Sequence, residues 1–210
     1  MAAYIVIAII AYAIGSINFS VILSRKMAGF DVREKGSGNA GTTNMLRSVG
    51  KKAAALTLLC DILKGIVAIV IAIIIGKFSE NFDKALLVQI AGIAVIVGHT
   101  FPIFFEFRGG KGIATALGVL ILTNWQIGLI CLVFAIVLMV LTRMVSAGSV
   151  AAAILFPVLT LFIGKEHFIV EGSYFLYSII IALIVIFNHR ANIKRILEGN
   201  ENKLSFKKEV

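Results

Sequence analysis

Six apolar runs, at about 2–23, 53–76, 85–105, 112–142, 145–163 and 168–188, occupy most of the 210 residues. A transmembrane helix needs ~20 apolar residues. With 60% hydrophobic and only 15% charged residues, the chain carries more apolar surface than a soluble domain of this length needs. The expected class is an all-α polytopic integral membrane protein. The first run is too long, and too weakly charged at its start, for an ordinary cleaved signal peptide. A chain cut after "AYAIGSIN" would still be a membrane protein.

The run 112–142 decides the topology. As one helix of about 30 residues it would be ~45 Å long, well over the ~30 Å of hydrocarbon. "TNWQ", Thr123 to Gln126, interrupts it with polar groups and an interfacial type of Trp. Splitting there into 112–123 and 126–142 gives about seven transmembrane segments, with the N-terminus outside and the C-terminus cytoplasmic. Sixteen of the twenty Lys and Arg residues then share the inner face, against Lys77, Lys84 and Lys165 outside and Lys64 within a span. Six segments would turn the basic tail outward, against the positive-inside rule. The expected organisation is one membrane domain, 1–196, and a short basic cytoplasmic tail, 197–210. The net charge of +9 belongs to loops between apolar runs, so it points to membrane lipids and an anionic substrate, with no nucleic acid partner. Cys60 and Cys131 lie in apolar runs and read as buried small hydrophobes. No Cys/His cluster or group of acids suggests a metal, and no cofactor is expected.

Polar chemistry gathers in the loops assigned to one side. "EKGSGNAGTTNMLR", Glu34 to Arg47, contains G-x-G-x-x-G, with Asp61 twenty residues after Gly41. A dinucleotide fold needs a strand on each side of this loop, whereas Asp61 sits in an apolar helical run. The alternative is an oxyanion cradle. Gly36 and Gly38 allow the backbone to turn around one centre. Ser37, Asn39, Thr42, Thr43 and Asn44 add donors, and Arg47 adds a fork suited to phosphate. Asp61 and Lys64, three apart on one helix face, are either a self-neutralising pair or a Lys64 that reaches the anion with Asp61 orienting it.

A second constellation is "GHTFPIFFEFRGGKGIAT", Gly98 to Thr115. Gly109, Gly110, Lys111 and Gly112 put a glycine turn, an ammonium and a helix start near one anion. The full Walker A pattern is missing, so ATP does not follow. His99 reads equally as packed or as catalytic. Ser146 and Ser149 either line the site or bond their own helix. His189 and Asn192, in "NHRANIKRILEGNE", share a face of a helix leaving the membrane.

These stretches, in this order and over nearly the whole chain, resemble the motifs of bacterial membrane glycerol-3-phosphate acyltransferases that use acyl phosphate. The departures are Ala40 for a usual Pro, Arg108 for Lys, Ile196 for Leu and Asn200 for Thr. The resemblance implies acyl transfer from acyl phosphate to the 1-hydroxyl of glycerol 3-phosphate at the inner face of the bacterial cytoplasmic membrane. It implies essential roles for Ser37, Arg47, His189 and Asn192, a glycerol-phosphate loop at 109–112, and a structural Glu201. The enzyme that makes acyl phosphate is an expected partner. Acyl phosphate has a good leaving group, so alignment and charge stabilisation suffice without a covalent intermediate. His189 and the donor's own phosphate are the two candidate bases. None of the three histidines starts the His-x-x-x-x-Asp common in enzymes that use acyl-CoA. The competing class, a transporter of small anions, would show a repeat and polar groups near the midplane.

Overall fold

The computed structural model describes residues 2–78, 83–163 and 173–204. Lys165, the start of the run 168–188 and the end of the expected tail lie outside those residues. The described residues form ten α-helices and two short 3-10 turns, with no strand. In order they are α1 (Ala2–Gly15), α2 (Phe19–Ala28), α3 (Thr42–Ser48), α4 (Lys51–Lys77), α5 (Lys84–Thr100), α6 (Ile113–Thr123), α7 (Trp125–Thr142), α8 (Val145–Phe162), α9 (Tyr174–Asn188) and α10 (Arg190–Leu197).

Five helical stretches are long and apolar enough to cross a bilayer, and α9 with α10 makes a sixth if counted as one span bent by 63°. Among the described residues α6 is the exception. Its 11 residues rise about 16 Å, roughly half the hydrocarbon thickness. The expected break in 112–142 is present. Asn124 Oδ1 accepts the Ile127 amide at 2.9 Å and caps α7. The first run, read as one unbroken segment, is interrupted between α1 and α2. There Asn18 Oδ1 caps α2 at Val21 (3.3 Å) and accepts from Ser20 Oγ (2.7 Å).

The long helices turn small residues inward and large ones outward. On α4, Ala54, Ala68 and Ala72 are buried, while Leu59, Leu63 and Ile74 are exposed and face the lipid side. Gly65 of α4 and Gly118 of α6 meet the partner helix's backbone directly. A Cβ at Gly65 would collide with the Thr115 carbonyl, and one at Gly118 with that of Ile62. This close crossing sets α6 firmly against α4, and with it the turn from which α6 starts.

Candidate active site

Four loop regions meet at one end of the bundle: residues 31–47, 99–112, 143–146 and 188–204. The first is folded by its own polar groups. Asn44 Oδ1 accepts the Ser37 amide (2.9 Å), and its Nδ2 donates to the Val32 and Lys35 carbonyls (2.8 and 3.0 Å). Gly36 turns with a φ of 57° directly against that amide, where a Cβ would also lie 2.9 Å from Ser48 Oγ. Asn44 was expected to bind substrate. Buried and fully engaged, it shapes the loop instead. Gly38, Ser37 and Arg47 stay exposed and Asn39 is half-buried.

A clamp that the sequence reading missed lies beneath this loop. Buried Arg33 grips Asp31 through Nη2 (2.8 Å) and Nε (3.1 Å), and donates from Nη1 to the Phe105 carbonyl (2.8 Å). It thereby ties the first loop to the turn after α5. Burial pushes the Asp31 carboxyl up, but hydrogen bonds and charge from Arg33, helped by Arg25, bring it down to about 2. A one-residue gap between an acid and an Arg in a loop was the available signal.

The glycine turn is seated on the end of α5. Gly109 N–H donates to the Thr100 carbonyl and Gly110 N–H to the His99 carbonyl, both at 3.1 Å. These two amides were expected to face an anion; they are spent within the protein. A Cβ at Gly110 would strike the His99 ring and lie 2.8 Å from the Ala40 carbonyl, so only glycine fits between the two motifs. Gly112, with a φ of 89°, starts α6. His99 and Lys64, both expected as substrate ligands, are buried and bonded to the protein. Lys64 Nζ contacts His99 Nδ1 at 2.8 Å and Asp61 Oδ1 at 2.9 Å.

Lys111 crosses to the last helices. Its Nζ donates to Asn192 Oδ1 at 2.5 Å. Asn192 Nδ2 donates to Glu201 Oε1 at 2.6 Å, which fixes which way the amide faces. Glu201 Oε1 also accepts from Ser146 Oγ (2.8 Å), and its Oε2 from Arg195 Nε (2.7 Å). The Leu204 amide bonds the Arg143 carbonyl (2.7 Å), closing the strap over the start of α8. Ser146 therefore supports Glu201, and Ser149 donates to Val145 of its own helix (3.0 Å), the second of the two readings its sequence allowed. Asn188 Nδ2 bonds Thr100 Oγ1 (3.2 Å), a link no motif suggested. His189 Nδ1 faces the Val185 carbonyl at 2.8 Å. A carbonyl only accepts, so Nδ1 carries the proton and Nε2 the lone pair. Burial lowers Lys111 to about 8; the Glu201 carboxylate opposes this, while Arg195 and Arg47 add to it.

A model of the glycerol-3-phosphate acyltransferase family matches residues 5–199. The chain belongs to that family. The glycerol-3-phosphate acyltransferase of Thermoanaerobacter pseudethanolicus is 46% identical over 203 residues, covering 97% of this chain and 96% of its own. That of Clostridioides difficile is 41% identical over 206 residues, with 98% of each chain covered. Among solved structures, PlsY (YgiH), an integral membrane glycerol 3-phosphate acyltransferase in its glycerol 3-phosphate form, aligns with a TM-score of 0.82 at 35% identity over 96% of both chains. Its lysophosphatidic acid form gives 0.80 at 33% identity, over 96% of this chain and 95% of that one. The family makes this a multi-pass membrane acyltransferase acting on glycerol 3-phosphate.

Proposed function

We propose that the chain moves a fatty acyl group from acyl phosphate to the 1-hydroxyl of sn-glycerol 3-phosphate, as the first acylation of bacterial phospholipid synthesis. The products are 1-acyl-glycerol 3-phosphate (lysophosphatidic acid) and phosphate. The observation that carries the reading is the Lys111 ammonium, held by Asn192 beside a glycine turn that packs on the Ala40 carbonyl of the first loop. The glycerol 3-phosphate and lysophosphatidic acid forms of PlsY support the acceptor and the product. The motif resemblance supports acyl phosphate as the donor.

Lys111 and Arg47 neutralise phosphate charge, and the turn 109–112 seats the acceptor. The acceptor hydroxyl attacks the carbonyl carbon of the mixed anhydride. The new ester C–O bond forms, the bond from carbonyl carbon to phosphate oxygen breaks, and phosphate leaves with the bonding pair. The hydroxyl proton passes to His189 Nε2, whose lone pair is set by the Val185 contact, or to a donor phosphate oxygen. Near-normal turnover in His189→Gln would assign the proton to the donor.

The charge distribution supports seven membrane segments, an outside N-terminus, a cytoplasmic C-terminus, one domain over 1–196 with the tail 197–210, and an active site at the cytoplasmic face of the inner membrane. Purified protein in detergent, given glycerol 3-phosphate with acyl phosphate, acyl-CoA or acyl carrier protein donors, tests the reaction. Phosphate release matched by lysophosphatidate is expected with acyl phosphate alone. Product formed from acyl-CoA at a comparable rate would refute the donor assignment.

A further inference from the structure

The Lys64 ammonium has four partners: the Gly15 carbonyl (3.1 Å), the Ile17 carbonyl (3.1 Å), Asp61 Oδ1 (2.9 Å) and His99 Nδ1 (2.8 Å). Its three N–H protons serve the two carbonyls and His99 Nδ1, and the Asp61 carboxylate adds an ion pair, so no direction is left for a ligand. The two carbonyls belong to the break between α1 and α2, where a helix end leaves acceptors unpaired. Lys64 therefore joins α1, α4 and α5 at one buried point. An ammonium only donates, so His99 Nδ1 offers its lone pair and the ring proton sits on Nε2, the atom beside Gly110. The backbone of the same residue takes the Gly110 amide, and that of Thr100 takes the Gly109 amide.

We propose that Asp61, Lys64 and His99 are positioning residues: the trio locks the His99 ring and backbone, and these hold the turn 109–112 in its working shape without touching substrate. The inference rests on the reading of that turn as the acceptor's seat.

Removing Lys64 alone would strand the buried Asp61 carboxylate and threaten the fold. The informative variant is therefore Asp61→Asn combined with Lys64→Met, which removes both charges at once. Two quantities are read: deuterium uptake of peptides covering 106–112 in ligand-free protein, and KM against kcat for glycerol 3-phosphate. The double variant is expected to take up deuterium in this turn about tenfold faster and to raise KM about tenfold, with kcat within about threefold. Leu129→Ala, on the lipid face, should change neither. Unchanged uptake overturns the proposal whatever activity does, because loss of activity alone would make Lys64 a direct ligand. Faster uptake with an unchanged KM overturns it equally. His99→Leu, which removes the imidazole but leaves an apolar side chain and no unpaired buried charge, is read the same way if the double variant does not fold. The uptake measurement needs no turnover, so failure of the acyltransferase reading would show separately, as wild-type protein that makes no lysophosphatidate.

Discussion

Raising the pH discharges Lys111. With its ammonium lowered to about 8 by burial, the group is about nine-tenths charged at pH 7 and about one-tenth charged at pH 9. The sign is fixed, since a lysine loses its charge upward in pH. The value of kcat/KM for glycerol 3-phosphate reports the free enzyme. It should fall about tenfold between pH 7 and 9, approaching tenfold per unit beyond. The acceptor does not mask this limb, because a phosphate monoester finishes its second ionisation near pH 6. Bound phosphate favours the charged form, so kcat should hold to a higher pH than kcat/KM. Initial rates of lysophosphatidate formation at low acceptor concentration, with a blank for spontaneous acyl phosphate hydrolysis, measure the profile. Lys111→Arg carries a cation that stays charged beyond pH 12. Its overall rate should be lower, because a planar fork does not reproduce the single bond to Asn192, but its alkaline limb should vanish. A flat wild-type profile from pH 7 to 9.5, or a limb that survives in Lys111→Arg, would refute the reasoning.

Gly110→Ala should cut kcat/KM by about a hundredfold, because its Cβ meets the His99 ring and the Ala40 carbonyl and the turn must shift to admit it; a near-normal steady-state rate contradicts that packing. Glu201→Gln should cost roughly tenfold in kcat/KM, since Asn192 loses the carboxylate that sets its amide. Burial raises the Glu201 pKa, but bonds from Asn192, Ser146 and Arg195 together lower it, so the strap should hold in mild acid. A kinetic double-mutant cycle of Glu201→Gln with Ser146→Ala should be non-additive, since both act through one oxygen. Asp31→Asn should reduce stability by about 2 kcal/mol at pH 7, seen as faster thermal inactivation. The Asp31 carboxyl at about 2 lies below its ordinary value of 3.8, so its contribution is present above pH 4 and fades as pH falls toward 2.

Length and polarity made the spans legible. The split at Asn124 follows from a polar interruption in a run too long for one helix, and the capping amide is the one that interrupts it. The break at Gly15–Asn18 carried similar residues, but it lies in a run of ordinary length, so nothing demanded it. Within the site, residue type identified where charge gathers and not what each group holds. Lys111 and Asn192, from motifs far apart in the chain, are bonded to each other. Asn44, Lys64, His99 and Ser146 have equally suitable side chains, yet each is occupied by protein atoms, Asn44 within its own loop and the others far away in sequence. Those partners are mostly main-chain carbonyls and amides, such as Gly15, Ile17 and Val32, which every residue carries and no motif marks. Arg33 was hidden for the same reason, its anchor being the Phe105 carbonyl.

The hairpin of α6 and α7 has arms of unequal length, 11 residues against 18. Both arms start from the turn at Asn124, so their far ends differ in level by about 10 Å of helical rise. The shorter arm ends at Gly112 and the longer one at Arg143. On the proposed topology and site, with Arg143 at the polar boundary of the inner leaflet, the turn 109–112 lies that far below it, at the depth of the upper acyl carbons. On that reading glycerol 3-phosphate descends from the water to reach the turn, while a fatty acyl group arrives sideways without leaving the bilayer. The mismatch in helix length would then bring a water-soluble acceptor and the proposed lipid-soluble donor to a common level.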